Sequence, residues 1–221
     1  MVAVRNRANA KNNPYAQEPL DISVDDVLHS KMLASPISVL DSKPPVSDGA
    51  CALILTTEEK AKKITNKPIW ITGIGNCYDL HYLGDRELAD CDSLVAAAKK
   101  AYAMAGVQNP LREINVAEIS EEYSYQELLW SEGLGFCEKG KGGKFLEEGI
   151  GRMPGKLPIN PSGGILAGNP IGVAGAVRVA ETVMQLRGEA GARQVDGAKM
   201  ALAHGFTGAC GQSHCVLILR D

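Results

Sequence analysis

The sequence has no long apolar run, no strong charge of one sign and no paired-cysteine motif. The first absence excludes a helical membrane span, which needs about 20 consecutive apolar residues. The second follows from 23 Lys and Arg against 26 Asp and Glu, a net charge of -3. That balance lacks the electrostatic footprint of a nucleic-acid or membrane-surface binder. The third concerns six cysteines, at 51, 77, 91, 137, 210 and 215, none in a CxxC pair. Cys210 and Cys215 alone make no metal set, so no metal site is expected. The cysteines read as reduced cytoplasmic thiols, mostly in the core. Met1 is followed by polar, basic residues, so no secretory signal is expected. What is there is 221 residues, 45% hydrophobic and 22% charged. This suits one or two soluble globular units with a sizeable core.

Residues 1 to 20, rich in Arg, Asn and Pro, read as an extended arm or loop. Arg5, Arg7 and Lys11 give it a basic character, suited to phosphates, to solvent or to a subunit contact. Residues 23 to 33 read as a short helix capped by Ser23, with Asp25 and Asp26 favouring its first turn. Three prolines and Ser47-Asp48-Gly49 make 34 to 49 a loop. Ala50 to Leu55 reads as a buried strand. Thr56 ahead of Glu59 predicts a helix to about Ile64. Strands follow at 69–74 and 114–119, on either side of an Ala-rich helix at 94–105 stopped by Gly106. A helix through Leu128, Leu129 and Trp130 comes next, and 133–158 reads as loop. Gly172 to Arg187 is the strongest helix, apolar almost all round, and is expected to be central and buried. Ala198–His204 and His214–Leu219 read as a closing hairpin. The order from residue 69 predicts an α/β fold, a mixed sheet with helices on both faces.

The most informative stretch runs from Ile159 to Gly175: a glycine-rich loop entering the apolar helix. Such a junction aims backbone N–H groups and a positive helix end at one spot. That suits an oxygen gaining negative charge, or a phosphate.

Several motifs together resemble the thiolase superfamily, nearest to bacterial and archaeal relatives of the sterol-carrier-protein thiolases. They are Asn160-Pro161-Ser162-Gly163-Gly164, the Gly168-x-Pro170-x-Gly172-x-x-Gly175 loop and Gln185-Leu186-Arg187-Gly188-Glu189-Ala190-Gly191 with Arg193-Gln194-Val195. Ser47-Asp48-Gly49-Ala50, Gly135-Phe136-Cys137 and Val2-Ala3-Val4-Arg5-Asn6 add to the match, which covers essentially the whole chain. The resemblance implies a thiolase-like layered α/β/α fold of two similar halves. Residues 1–67 would be the arm, loop region and last strand of the first half. Residues 68–221 would be the C-terminal half.

It also implies altered chemistry. The family's Gly-His-Pro reads Gly168-Asn169-Pro170 here. Asn169 can donate to an oxyanion but cannot act as a base. The family's His-Asp-x-Phe segment reads Ser120-Glu121-Glu122-Tyr123, so its His aligns with Ser120 and its acid/base position with Glu122. The C-terminal acid/base loop holds Cys210, although strand alignment sets the family's cysteine nearer Thr207. The candidate catalytic set is therefore Asn169, Glu121, Glu122, Tyr123 and Cys210, with Tyr125 adjacent. Each has a plainer reading: Asn169 retained for its turn, the Glu pair as a helix start, Tyr123 for packing. Ser162, Gly163, Gly164, Gly168, Pro170 and Gly172 are the candidate substrate-binding residues. No cofactor is expected to be permanently bound, and the substrate implied is a coenzyme A thioester. His204 and His214 flank the last loop, and the resemblance implies a structural role for His204.

Three function classes follow. The first is part of an acyl-CoA-handling enzyme of lipid metabolism, taking its nucleophilic Cys from a thiolase N-terminal-half chain. A retro-aldolase subunit cleaving a 3-hydroxyacyl-CoA is the second. The third is a non-catalytic scaffold. The resemblance further implies a homo- or hetero-oligomer and, as in some relatives, a zinc-ribbon/OB-fold partner protein.

Overall fold

The computed structural model describes residues 1–221. In chain order its elements are α1 (Val2–Ala10), α2 (Val24–His29), β1 (Met32–Ala34), β2 (Ile37–Ser38), α3 (Glu58–Ile64) and β3 (Trp70–Tyr78). They continue with α4 (Asp92–Ala105), α5 (Pro110–Glu113), β4 (Val116–Ile119), α6 (Ser124–Gly133), α7 (Gly142–Glu147), α8 (Ala174–Arg187), β5 (Met200–Thr207) and β6 (Ser213–Arg220). No helix is long and apolar enough to cross a membrane.

The main sheet runs β3-β6-β5-β4. β5 and β6 form the expected antiparallel hairpin, and β4 joins β5 in parallel. Ile159 bridges to Ala117 beyond β4, so the chain entering the glycine-rich loop is anchored at the sheet margin.

Period-two alternation divides the sheet into two faces. Ala117, Ile119, Leu202, Val216 and Ile218 point to a core shared with α4 and with Trp130 of α6. Val116, Ala201, Ala203 and Leu219 point the other way, towards Leu186 of α8. The mixed sheet carries helices on both faces, as the sequence predicts. Gly73 and Gly75 let the backbone of α4 lie directly on β3. A Cβ at either would strike the carbonyls of Ala101 or Ala97.

Four expectations need correction. The arm begins as α1, with Val2, Ala3, Asn6, Arg7 and Ala10 buried; polar contacts, which apolar periodicity does not register, hold it in place. Arg5 pairs with Glu127, Arg7 with Glu18 and Lys11 with Asp21, so the basic charges are spent inside the chain. Ala50 to Leu55 has no strand partner and is not buried; Leu53, Ile54 and Leu55 are 39%, 91% and 76% exposed. An apolar run becomes a strand only where a neighbour accepts its ladder. The 133–158 loop contains α7, closed by Phe145 and Leu146 against the core. Finally, α8 is not buried all round. Its buried face holds Arg178, Glu181, Thr182, Gln185 and Leu186, while Val177, Ala180, Val183 and Met184 are half-buried. One layer, the sheet, covers it.

Candidate active site

The glycine-rich turn is built on a left-handed residue, Asn160 (φ 50°). Its side chain explains why the turn takes that form. Asn160 Oδ1 accepts from Ile119 N at 2.7 Å, and Nδ2 donates to Glu121 Oε2 at 2.8 Å. Ser162 N and Oγ both donate to Glu118, at 3.0 and 2.6 Å. Arg178 Nη1 donates to Glu118 Oε2 at 2.9 Å and to Ser162 Oγ at 3.0 Å. Gly164 (φ 68°) has no room for a Cβ, which would meet Glu121 Oε1.

Most loop N–H groups are therefore already paired. Ser162 N serves Glu118, Gly163 N Asn160 O, Gly164 N Ser162 Oγ, Leu166 N Glu121 and Gly168 N Ile165 O. The expectation that these donors converge on a ligand is corrected. Burial forces a backbone N–H to find a partner, and the two glutamates supply several. What the junction still offers is the start of α8. It follows Gly172 (φ 84°) and has no side-chain cap.

Glu121 is fully buried. Asn6 Nδ2 and Leu166 N donate to its Oε1 at 3.1 and 3.3 Å. Burial, with the Glu127 charge nearby, pushes its carboxyl up to about 8. Glu118 is pushed the same way by burial, against the pull of Arg178. Both carboxyls face the interior and brace the loop.

The other candidate catalytic groups form a separate cluster around residues 42–48. Ser42 bridges to Tyr123, and Lys43 N donates to Glu122 O at 2.7 Å. Lys43 also makes an ion pair with the Glu122 carboxylate. Asn169 Nδ2 donates to Pro44 O at 3.0 Å, and Ser47 N to Asn169 O at 3.1 Å. This strap brings Glu122, Tyr123 and Asn169 to one region. Tyr125 stacks on Tyr123 with ring centroids 5.9 Å apart. Partial burial, then the charges of Cys210, Tyr123 and Glu122, raise the Tyr125 hydroxyl above its ordinary value. Cys210 is exposed and left-handed (φ 51°). Arg86 Nη1 and Nη2 donate to the carbonyls of Ala209 and Cys210 at 2.9 and 3.0 Å, and its Nε pairs with Asp79.

A cleft of about 460 Å³ lies beside this cluster. Ser162, Gly164, Gly168 and Pro170 of the candidate binding set line it, with Val177 and Met184 from the half-buried side of α8. Gly163, Gly172, Asn169, Glu122, Tyr123 and Cys210 do not. About half of its lining residues are apolar, among them Val177, Ala180 and Met184 of α8, which suits protein side chains as well as a ligand.

His204 and His214 are buried and hydrogen-bonded, Nε2 to Nδ1, at 2.9 Å. Trp130 packs edge-on against both rings. The two rings sit inside the core beside Trp130 and Phe206. Sequence reasoning missed Glu118, Arg178, Arg86 and the asparagines of α1. A charged residue inside an apolar strand, such as Glu118, was the available signal: it needs a buried partner.

The family described as thiolase C-terminal domain-like matches residues 76–221. The acetyl-CoA acetyltransferase of Methanothermobacter thermautotrophicus is 41% identical over 213 residues, covering 96% of this chain and 55% of that protein. The benzoylsuccinyl-CoA thiolase subunit BbsB of Thauera aromatica is 35% identical, covering 95% and 54%. The solved Ltp2-ChsH2(DUF35) aldolase superposes with a TM-score of 0.84 at 25% identity, covering 100% of this chain and 57% of that one. The chain thus spans about half the length of these relatives.

Proposed function

This chain belongs to the thiolase family, and on that premise we propose that it supplies the C-terminal half of an acyl-CoA-handling catalytic unit. The reaction is carbon–carbon bond formation or cleavage beside a coenzyme A thioester. The other half of the unit, with the nucleophilic Cys, comes from sequence outside these 221 residues. It covers the apolar side of α8 and Leu53–Leu55, which need a second layer. The thioester oxygen sits at the start of α8 beside Asn169, whose second amide N–H is the donor. Asn169 in place of histidine is the observation that carries this reading: the site keeps a donor and loses a base.

A retro-aldolase is the second reading, favoured by the Glu122–Tyr123–Tyr125 cluster and by the likeness to the Ltp2-ChsH2(DUF35) aldolase. There, a base takes the proton of a 3-hydroxyl group and the C2–C3 bond breaks. A carbonyl compound leaves, and the thioester enolate takes up a proton at C2. Glu122 and Tyr123 are the acid/base pair of this step, and Cys210 is the acid/base group of the thiolase version. A DUF35-type zinc-ribbon/OB-fold chain is the partner in either case.

The chain is assayed alone and with a thiolase first half. Alone it should not thiolyse acetoacetyl-CoA. With the first half, cleavage of a 3-hydroxyacyl-CoA that survives removal of every thiol selects the aldolase. Thiolysis lost with those thiols selects the thiolase. A complex with neither activity overturns both readings in favour of a scaffold.

A further inference from the structure

The asparagines of α1 lie three and four residues apart, at 6, 9 and 13, on and just beyond the helix. Residues so spaced share one face. Each donates its amide into the glycine-rich turn or into the carboxylates that brace it. Asn6 Nδ2 donates to Glu121 Oε1 at 3.1 Å and to Glu127 Oε2 at 3.0 Å. Asn9 Nδ2 donates to Asn160 O at 3.0 Å. Asn13 Nδ2 donates to Ser162 O at 2.8 Å, while its Oδ1 accepts from Tyr15 N at 3.0 Å. The far end of the loop is held from the same segment, since Gln17 N and Glu18 N donate to Ala167 O at 3.0 and 2.9 Å.

The grip is specific in orientation. The Asn6 Oδ1 atom takes two N–H donors from Arg5, at 3.2 and 2.9 Å, so its NH₂ group must face the glutamates. Asn160 is fixed in the same way, by Ile119 N on its Oδ1. The turn contains Gly163 and Gly164, both at positive φ, in which the backbone alone sets little. Contacts from outside must choose its conformation, and α1 lies across it: Gly163 has no space for a Cβ because Ala10 and Ala167 stand there.

We propose that α1 is the positioning element of the acyl-thioester site, with Asn6, Asn9 and Asn13 fixing the Asn160–Gly164 turn and, through it, the approach to Asn169. The inference rests on the thioester reading above for its ligand, and on the structure alone for the grip.

The test uses Asn9→Ala, Asn13→Asp and the double variant. Asn13→Asp keeps the acceptor for Tyr15 N, removes the donor to Ser162 O and sets a carboxylate against that carbonyl. Hydrogen exchange is followed at residues 162–168 and, as an internal control, in β5 and β6. Affinity for acetyl-CoA is measured on the same variants joined to the thiolase first half. Exchange in the loop should rise about tenfold or more in the double variant, with the strands unchanged, and acetyl-CoA affinity should fall by a similar factor. Restoring the donor with Asn13→Gln should recover part of both. Unchanged loop exchange overturns the grip, whatever happens to the ligand. Loosening of the strands together with the loop overturns it too, because α1 would then only stabilise the whole. Raised loop exchange with unchanged acetyl-CoA affinity overturns the positioning role. A wild-type chain that, joined to the first half, does not bind acetyl-CoA overturns the thioester reading, while a localised rise in loop exchange still upholds the grip.

Discussion

The side-chain amide of Asn169 donates a 3.0 Å hydrogen bond to the carbonyl oxygen of Pro44. Asn169 N donates to Ser47 Oγ at 3.2 Å and Ser47 N to Asn169 O at 3.1 Å, which holds the same strap against the loop. The amide is thus oriented before any ligand arrives, with one of its two N–H groups still free. A pre-oriented donor needs no rearrangement when charge develops, which is what makes oxyanion stabilisation effective.

Asn169→Ala removes this donor. If the free N–H serves the thioester oxygen, turnover of the complete complex falls by about 10²–10³ in kcat. Folding stability drops by only about 1–2 kcal/mol, the cost of one lost hydrogen bond and an unpaired carbonyl. A variant complex that is destabilised yet turns over as the wild type does would assign Asn169 to the loop alone.

How much of this was legible beforehand depends on what each residue contacts. Strands β3 to β6 and helices α4 and α8 were readable because alternation, an alanine run and Gly106 or Gly188 as caps are local signals. Helix α1 was not, because it is held by asparagine and arginine contacts to residues over a hundred positions away. The apolar pattern of Ala50–Leu55 misled for a related reason: a strand is a property of two segments, and only one is visible in the pattern. At the site, the resemblance located the loop, Asn169 and the Glu pair. It did not reveal that Glu121 faces inwards while Glu122 faces the Lys43 strap, since adjacent residues point apart only once the backbone path is known.

Glu118 and Arg178 provide a sharper stability test. Glu118 is fully buried, and Arg178 is its only cationic partner at 2.9 Å. At pH 8, where the paired Glu118 is ionised, Arg178→Met removes its cationic partner and should cost about 3–5 kcal/mol in urea unfolding. Adding Glu118→Gln should return a good part of the loss, because no charge then remains to be solvated. If the two losses simply add, the pair is not coupled and this description of the loop anchor is wrong.

The six cysteines should differ in reactivity. Burial pushes Cys91 and Cys137 up to about 11, so about one in a thousand of either is thiolate at pH 8. Cys210 is exposed on its turn. Brief treatment with iodoacetamide, followed by peptide mass mapping, should find Cys210 alkylated well before those two. Equal labelling of all three would show that the β5–β6 turn or the core is arranged differently.

Stability against pH should show an optimum on the acid side of neutrality, because two buried systems pull in opposite directions. Burial pushes Glu121 up to about 8 from 4.5, so between those values the folded chain holds a proton the unfolded chain has lost. Stability then falls as pH rises, by up to about 1.4 kcal/mol per pH unit. Glu118, raised likewise, steepens the lower part of that fall. Burial lowers His214 to about 4 from 6.5, and His204 well below 6.5, so there the unfolded chain binds the extra protons. Stability on that account rises with pH up to about 6.5. Between 4.5 and 6.5 the two effects largely cancel; above 6.5 only the glutamates act, and stability declines towards pH 8. Around Glu121 the charges that set this balance are Glu127, Arg178 and Glu118, and around His214 they are Arg86 and Asp79. Urea midpoints taken at half-unit steps measure the curve. Glu121→Gln should flatten the limb from 6.5 to 8, and His214→Gln, by removing an opposing slope, should turn the level stretch from 4.5 to 6.5 into a decline. A wild-type curve that climbs from 6.5 to 8, or a Glu121→Gln curve that declines as steeply as the wild type, would show that Glu121 is ionised at neutral pH in the folded chain.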